Sequence, residues 1–166
     1  MEDKALQDKI NKRLYESISP LLIEEGEGQA NSTIWAGYQV QRFDDDILSV
    51  TFDVSAYMEG AAHPNNILIS ANIDLKTGED YSLDQLFEDG FDYKQDLFEK
   101  GNVQLENFEF PLLDEFKGID EGQEFYLTEY QLVVYYQPYV YTPHAYGPLK
   151  LYFEYEGLEK LAIPIP

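Results

Sequence analysis

The 166-residue sequence predicts an α+β fold with antiparallel sheets, an N-terminal helix and a central short helical pair. Three observations carry this. The first segment is apolar every fourth residue, the middle and end of the chain are apolar every second residue, and the links between alternating segments are short. Helical and two-residue periods kept in separate blocks give helices and antiparallel strands rather than a βαβ series.

In the first block Leu6, Ile10, Leu14 and Ile18 fall on one helical stripe, with Lys4, Lys9, Lys12 and Arg13 between them. Asp3 is placed to cap its start, and Pro20 is expected to end it. Glu24 to Ser32, with Gly26 and Gly28, reads as a loop. From Trp35 the period changes to two. Tyr38 to Phe43 is expected as a short strand, Asp44-Asp45-Asp46 as a turn, and Ile47 to Met58 as a longer strand. In that strand Leu48, Val50, Phe52, Val54, Ala56 and Met58 share a face. Asn66 to Leu75 repeats the alternation, which gives a three-strand meander.

Lys76-Thr77-Gly78-Glu79 reads as a turn. Ser82 with Gln85, and Asp92 with Gln95, then announce two short helices over roughly 83 to 100, the second ended by Gly101. Asn107 to Gly122 is acidic and irregular. Strands are expected again at Glu124 to Tyr126, Gln131 to Gln137 and Leu149 to Tyr155, with one helical turn at 157–161. The chain reads as one domain over 1–166. If it holds two sub-motifs, their seam is expected near 102–122.

Charge narrows the function. Thirty-two Asp and Glu stand against 11 Lys and Arg, a formal charge of −21, yet 44% of residues are hydrophobic and 15% aromatic. The aromatic content rules out a disordered acidic tail. Basic residues supply most of the affinity for phosphate backbones and anionic lipid, so neither nucleic acid nor a membrane surface is an expected partner. No apolar run approaches the roughly 20 residues that span a bilayer, so membrane insertion is not expected. Met1-Glu2-Asp3-Lys4 lacks the basic start and apolar stretch of a signal peptide. The absence of cysteine excludes disulfides, thiolate metal sites and thiol nucleophiles.

No catalytic residue, metal ligand or cofactor is assigned. His63 and His144 lie outside any H-x-x-x-H spacing and read as structural or binding-loop residues. No serine sits in a G-x-S-x-G elbow, and no glycine-rich phosphate loop is present. The Asp44 to Asp46 run lacks the glycine and distal glutamate of a calcium loop. The informative segment is Gln137 to Pro148, where Tyr139, Tyr141 and Tyr146 alternate with Pro138, Pro143 and Pro148 around His144. Proline stiffens such a loop, and tyrosine offers a flat apolar face with a hydroxyl at small entropic cost. The segment suits recognition of a peptide, a protein or a sugar ring. It suits equally a loop that folds over the edge of the core. Tyr57 and His63 are candidates to join the same surface.

Several motifs together resemble a known family. Tyr57-Met58-Glu59-Gly60-Ala61-Ala62-His63-Pro64 resembles the tyrosine, glycine, alanine, histidine signature of the RsiV-like extracytoplasmic domain family. Ile10-Asn11-Lys12, the run from Asn72 to Gly78, Ser82 to Phe87, Phe125 to Thr128, Val133 to Tyr139 and Ala145-Tyr146-Gly147 resemble the rest of its pattern, over roughly residues 5 to 162. The family includes anti-sigma factor ectodomains that bind lysozyme and N-terminal regions of some peptidoglycan deacetylases. The resemblance implies an α+β fold without a catalytic centre and an extracytoplasmic location, with a signal or anchor ahead of Met1. This sequence has Glu59-Gly60-Ala61 where Gly-Gly-Ala is common. It contains neither a transmembrane helix nor a deacetylase domain, so signalling and deacetylation do not carry over.

The leading expectation is a non-catalytic binding or sensing module for cell-wall material or a wall-directed protein. Its acidic surface suits a basic partner such as a lysozyme, or a peptidoglycan fragment held by the tyrosine loop. The alternatives are a hydrolase of wall glycan or peptide using His63 or His144 with carboxylates, and a structural domain of a larger envelope protein.

Overall fold

The computed structural model describes residues 3–165, so Met1 and Glu2 of the opening segment lie outside the described residues. The chain divides into two units between Asp80 and Tyr81. The stretch 102–122, where a seam was expected, lies inside the second unit.

In the first unit, helix α1 (Lys4–Glu24) precedes the strands β1 (Ser32–Phe43), β2 (Ile47–Met58) and β3 (Asn65–Asp74). The carboxylate of Asp3 caps α1 by accepting from the N–H groups of Ala5 and Leu6 at 2.9 and 3.1 Å. Pro20 does not end the helix. It removes only its own N–H, and the apolar stripe continues through Leu21 and Leu22 for another turn. The stop is Gly26, in the left-handed region at φ 95°. Gly26 N–H donates to Ile23 O at 3.1 Å and Glu27 N–H to Leu22 O at 2.8 Å, the paired bonds of a Schellman cap.

The strands form an antiparallel meander in the order β1-β2-β3. β1 begins six residues earlier than the alternation suggested, because Ser32 pairs with Met58 and the ladder runs on to Phe43, broken by a bulge between Val40 and Arg42. The stripe of α1 packs on β3: Ile10, Ile73 and Leu75 are buried together, with Leu6, Leu14 and Leu48 against them. Lys9 donates to Glu79 Oε1 at 2.5 Å and to Thr77 O at 2.7 Å, and Arg13 reaches Glu79 Oε2 at 3.1 Å, which fixes the helix over the turn after β3.

The second unit holds α2 (Tyr93–Leu105) and the antiparallel strands β4 (Phe125–Leu127), β5 (Gln131–Tyr136) and β6 (Leu149–Glu154), in the order β4-β5-β6. The first of the expected helical pair is only a 3₁₀ turn over Asp84–Leu86, although Gln85 Oε1 does accept from Ser82 N–H at 2.9 Å. Asp92 caps α2 through Gln95 N–H at 3.2 Å. Gly101 lies inside α2 rather than at its end. A Cβ there would sit 3.1 Å from Leu151 Cδ1 and 3.3 Å from Phe116 Cε1, so the glycine lets the helix approach β6 closely. β5 is the central strand, and Leu132 to Tyr136 are buried on both faces, as its unbroken apolar run requires. Among the described residues no helix is long and apolar enough to cross a membrane.

Candidate functional site

The segment between β5 and β6 is pinned at several points. Tyr139 N–H donates to Thr142 O at 2.7 Å, Thr142 Oγ1 donates to Gly147 O at 2.6 Å, and Gly147 N–H donates to His144 O at 3.1 Å. Tyr139 itself has φ 72°, left-handed backbone that a tyrosine adopts only when its surroundings hold it there. This backbone presents the Tyr139 ring outward, 59% exposed, stacked on His144 at a centroid distance of 5.9 Å.

Tyr146, half exposed, meets a residue the sequence reading missed. Its ring lies 4.0 Å from that of Phe110, which in turn contacts Phe108 edge-on at 6.4 Å and 82°. Both phenylalanines remain over one-third exposed. They stand just past the end of α2, and the segment is tied back to the loop where Leu113 N–H donates to Tyr141 O at 2.9 Å. The result is an aromatic platform in two ring groups, Phe108 with Phe110 and Tyr146, and Tyr139 with His144, with Leu113 and Val140 exposed on the same two segments. The signal was present in Phe108-Glu109-Phe110, two rings flanking an acid, but the acidic count of 107–122 masked it.

Tyr141 has another role. It is 4% exposed and packs edge-on against Phe116 and Tyr136 at centroid distances of 5.6 and 5.0 Å. Its hydroxyl accepts from Lys117 N–H at 3.1 Å. Of the three loop tyrosines it is the one folded into the core, while Tyr139 and Tyr146 face out.

The charge around the platform is one-sided. From Glu106 to Glu124 the only basic residue is Lys117, and its ammonium is engaged by Asp114 at 2.5 Å. That pairing holds the Asp114 carboxyl below its ordinary value and the Lys117 ammonium above its own. At the root of the loop, Glu124 accepts from Gln137 Nε2 at 2.9 Å and from the Tyr135 hydroxyl at 3.3 Å. Burial pushes its carboxyl above the usual range, against the lowering effect of those two donors.

Tyr57 and His63 belong to the first unit, at one end of its sheet: Tyr57 near the end of β2 and His63 in the turn to β3. His63 Nδ1 lies 2.9 Å from Pro64 O, a hydrogen bond in the tautomer that carries the proton on Nδ1. Among the described residues no three His, Asp or Glu side chains are grouped to hold a metal ion.

With this geometry in view, comparison with known proteins gives one family. Residues 84–156 match the family described as protein of unknown function (DUF3298). That stretch contains α2, the second sheet and the whole aromatic platform. Two solved structures of DUF3298 proteins share the fold. One, from Bacteroides fragilis NCTC 9343, is 21% identical with a TM-score of 0.64, over 98% of this chain and 71% of its own. The other, from Pseudomonas aeruginosa PAO1, is 16% identical with a TM-score of 0.62, over 91% of this chain and 71% of its own. No curated protein matches. At these identities the likeness is one of fold.

Proposed function

We propose that the chain is a non-catalytic, extracytoplasmic binding or sensing module, and that the platform around Tyr146 and Phe110 is where it holds its ligand. The observation that carries this reading is the exposure of stacked rings on backbone that is already fixed. Rigid aromatic anchors with little entropy left to lose are what recognition surfaces use. The acidic setting selects a basic partner, and the ring faces accept Lys or Arg side chains or the apolar face of a sugar. The partner of best fit is a basic wall-directed protein such as a lysozyme, with peptidoglycan fragments as the second ligand to try. The resemblance to RsiV-like ectodomains supports the same choice and the extracytoplasmic location.

Calorimetric titration with a basic lysozyme and with soluble peptidoglycan fragments, at about 0.15 M and about 0.5 M salt, tests it. Surface charge attraction is largely screened at the higher salt, whereas ring contacts persist. Binding that survives the higher salt is expected. Binding to neither ligand, or binding to lysozyme that vanishes with salt, contradicts the reading.

A further inference from the structure

β1 is an outer strand whose one edge protection is the bulge near its end, between Val40 and Arg42. It is 12 residues long, it contains no proline or lysine, and its one charged residue, Arg42, is buried against Asp44. Trp35, Tyr38, Val40 and Phe43 are 58, 75, 48 and 70% exposed. Natural sheets shorten, charge or cover such edges to prevent unwanted pairing. In the second unit that has been done. Tyr152 on the outer strand β6 has its N–H and C=O taken by the side-chain amide of Gln104, at 2.9 and 2.8 Å.

The hydrogen-bonding direction of β1 follows from its ladder. Glu59 N–H donates to Asn31 O at 2.8 Å, so by antiparallel alternation Thr33, Trp35, Gly37 and Gln39 face β2. The N–H and C=O groups of Ile34, Ala36, Tyr38 and Val40 then point away from the sheet. At the start of this edge is an open recess of about 300 Å³, lined by Leu22, Ile34 and Ala36 together with Glu27 and the Gly26 to Gly28 backbone that ends α1. Its lining is mixed, with the side chains of Leu22, Ile34 and Ala36 beside Ser32 and Glu27, and suits a long side chain with an aliphatic stem and a cationic head.

We propose that the outer edge of β1 takes up an extended basic peptide segment as a fourth antiparallel or parallel strand, with a Lys or Arg side chain seated in the recess against Glu27. Main-chain bonds to Ile34, Ala36, Tyr38 and Val40 supply affinity, and the recess supplies specificity. Charge chooses this occupant over a second copy of the chain. A paired copy would bring its own Glu25, Glu27 and Asp44-Asp45-Asp46 onto the same edge of a chain that carries −21.

Trp35 is the only tryptophan, so its emission reports on this edge directly. The probe is an amidated peptide of about nine residues alternating Val and Arg, long enough to line the edge at about 3.3 Å per residue. Binding is expected to weaken at least tenfold in Tyr38→Pro, which removes an outward N–H, and in Glu27→Lys. Tyr38→Ala, which keeps the N–H, should bind within about threefold of the parent, in keeping with main-chain recognition. Should Tyr38→Pro fail to fold, Glu27→Lys and a peptide N-methylated at alternate residues decide the matter. Equal binding of the N-methylated peptide would mean charge attraction alone and overturns the proposal. So does unchanged affinity in Glu27→Lys, or sedimentation showing a dimer of the chain that Tyr38→Pro abolishes.

Discussion

The ring of Tyr146 lies 4.0 Å from that of Phe110, tilted by 30°, with both residues well exposed. One ring comes from the β5–β6 loop and the other from the segment after α2, so the pair joins two parts of the second unit at its surface. Exposed rings in contact contribute modestly to stability, about 1 kcal/mol beyond the area they bury. Phe110 and Tyr146 thus differ in kind from Tyr141, although all three aromatics lie in or against one loop.

That difference is measurable. Tyr141→Ala removes a buried ring from between Phe116 and Tyr136 and is expected to cost about 3–5 kcal/mol of folding stability. Tyr141→Phe keeps the ring, loses only the acceptor for Lys117 N–H, and should cost about 1 kcal/mol. Chemical denaturation of the two variants checks the order. Equal small losses would place Tyr141 at the surface instead.

Tyr139→Gly relieves a left-handed backbone position and is expected to leave folding stability unchanged or raised by up to about 1 kcal/mol, because glycine adopts φ near 72° without strain. The same change removes the ring stacked on His144 and should weaken ligand binding. A large stability loss would show that the ring, not the backbone, holds the loop.

The Asp44 carboxylate accepts from Asp46 N–H, Ile47 N–H and Arg42 Nε at 2.8, 2.7 and 2.6 Å. Burial alone would raise its pKa, but these three donors together hold it below the ordinary value of 3.8. A lowered carboxyl stabilises the fold above its unfolded value, and that contribution disappears as pH falls through the folded value. Asp44→Asn should therefore cost about 2 kcal/mol at neutral pH. The gap to the parent should begin to narrow below about pH 4 and go on narrowing as pH falls through the lower folded value. Denaturation at a series of pH values reads this, and a gap that does not narrow as pH falls below about 4 would sink it.

Glu124 has the opposite sign. Its carboxyl is raised above 4.5 by burial, so the folded state holds the proton more tightly than the unfolded chain. Its ionised form opposes folding, and stability contributed by this group rises as pH drops through the folded value. Glu124→Gln is expected to improve relative to the parent as pH is raised from about 4 to 7, because only the parent ionises there. A carboxyl titrating below 4.5 by NMR would contradict this.

The α+β class was legible because the periods of Leu6 to Ile18 and of Leu48 to Met58 are set by local geometry. The misread boundaries have nonlocal causes. Pro20 looked like a stop because proline lacks a donor, yet the helix loses a single bond there and ends at Gly26 instead. Gly101 looked like a terminator, yet it is required by the approach of Leu151 and Phe116, which are distant in sequence. The candidate site was half visible. Tyr139 and Tyr146 announced themselves by their loop, whereas Phe110 joins them only through the fold, and the free edge of β1 depends on which strands fail to neighbour it.

The most direct test of the binding reading is NMR mapping with a basic lysozyme at about 0.5 M salt, where exposed-charge attraction is screened to within a few ångströms. Backbone shifts are expected to concentrate at 108–113 and 138–147, and to disappear together with binding in a Phe110→Ala, Tyr146→Ala double variant that remains folded. Shifts scattered over the acidic surface, or a double variant that binds like the parent, would contradict the account.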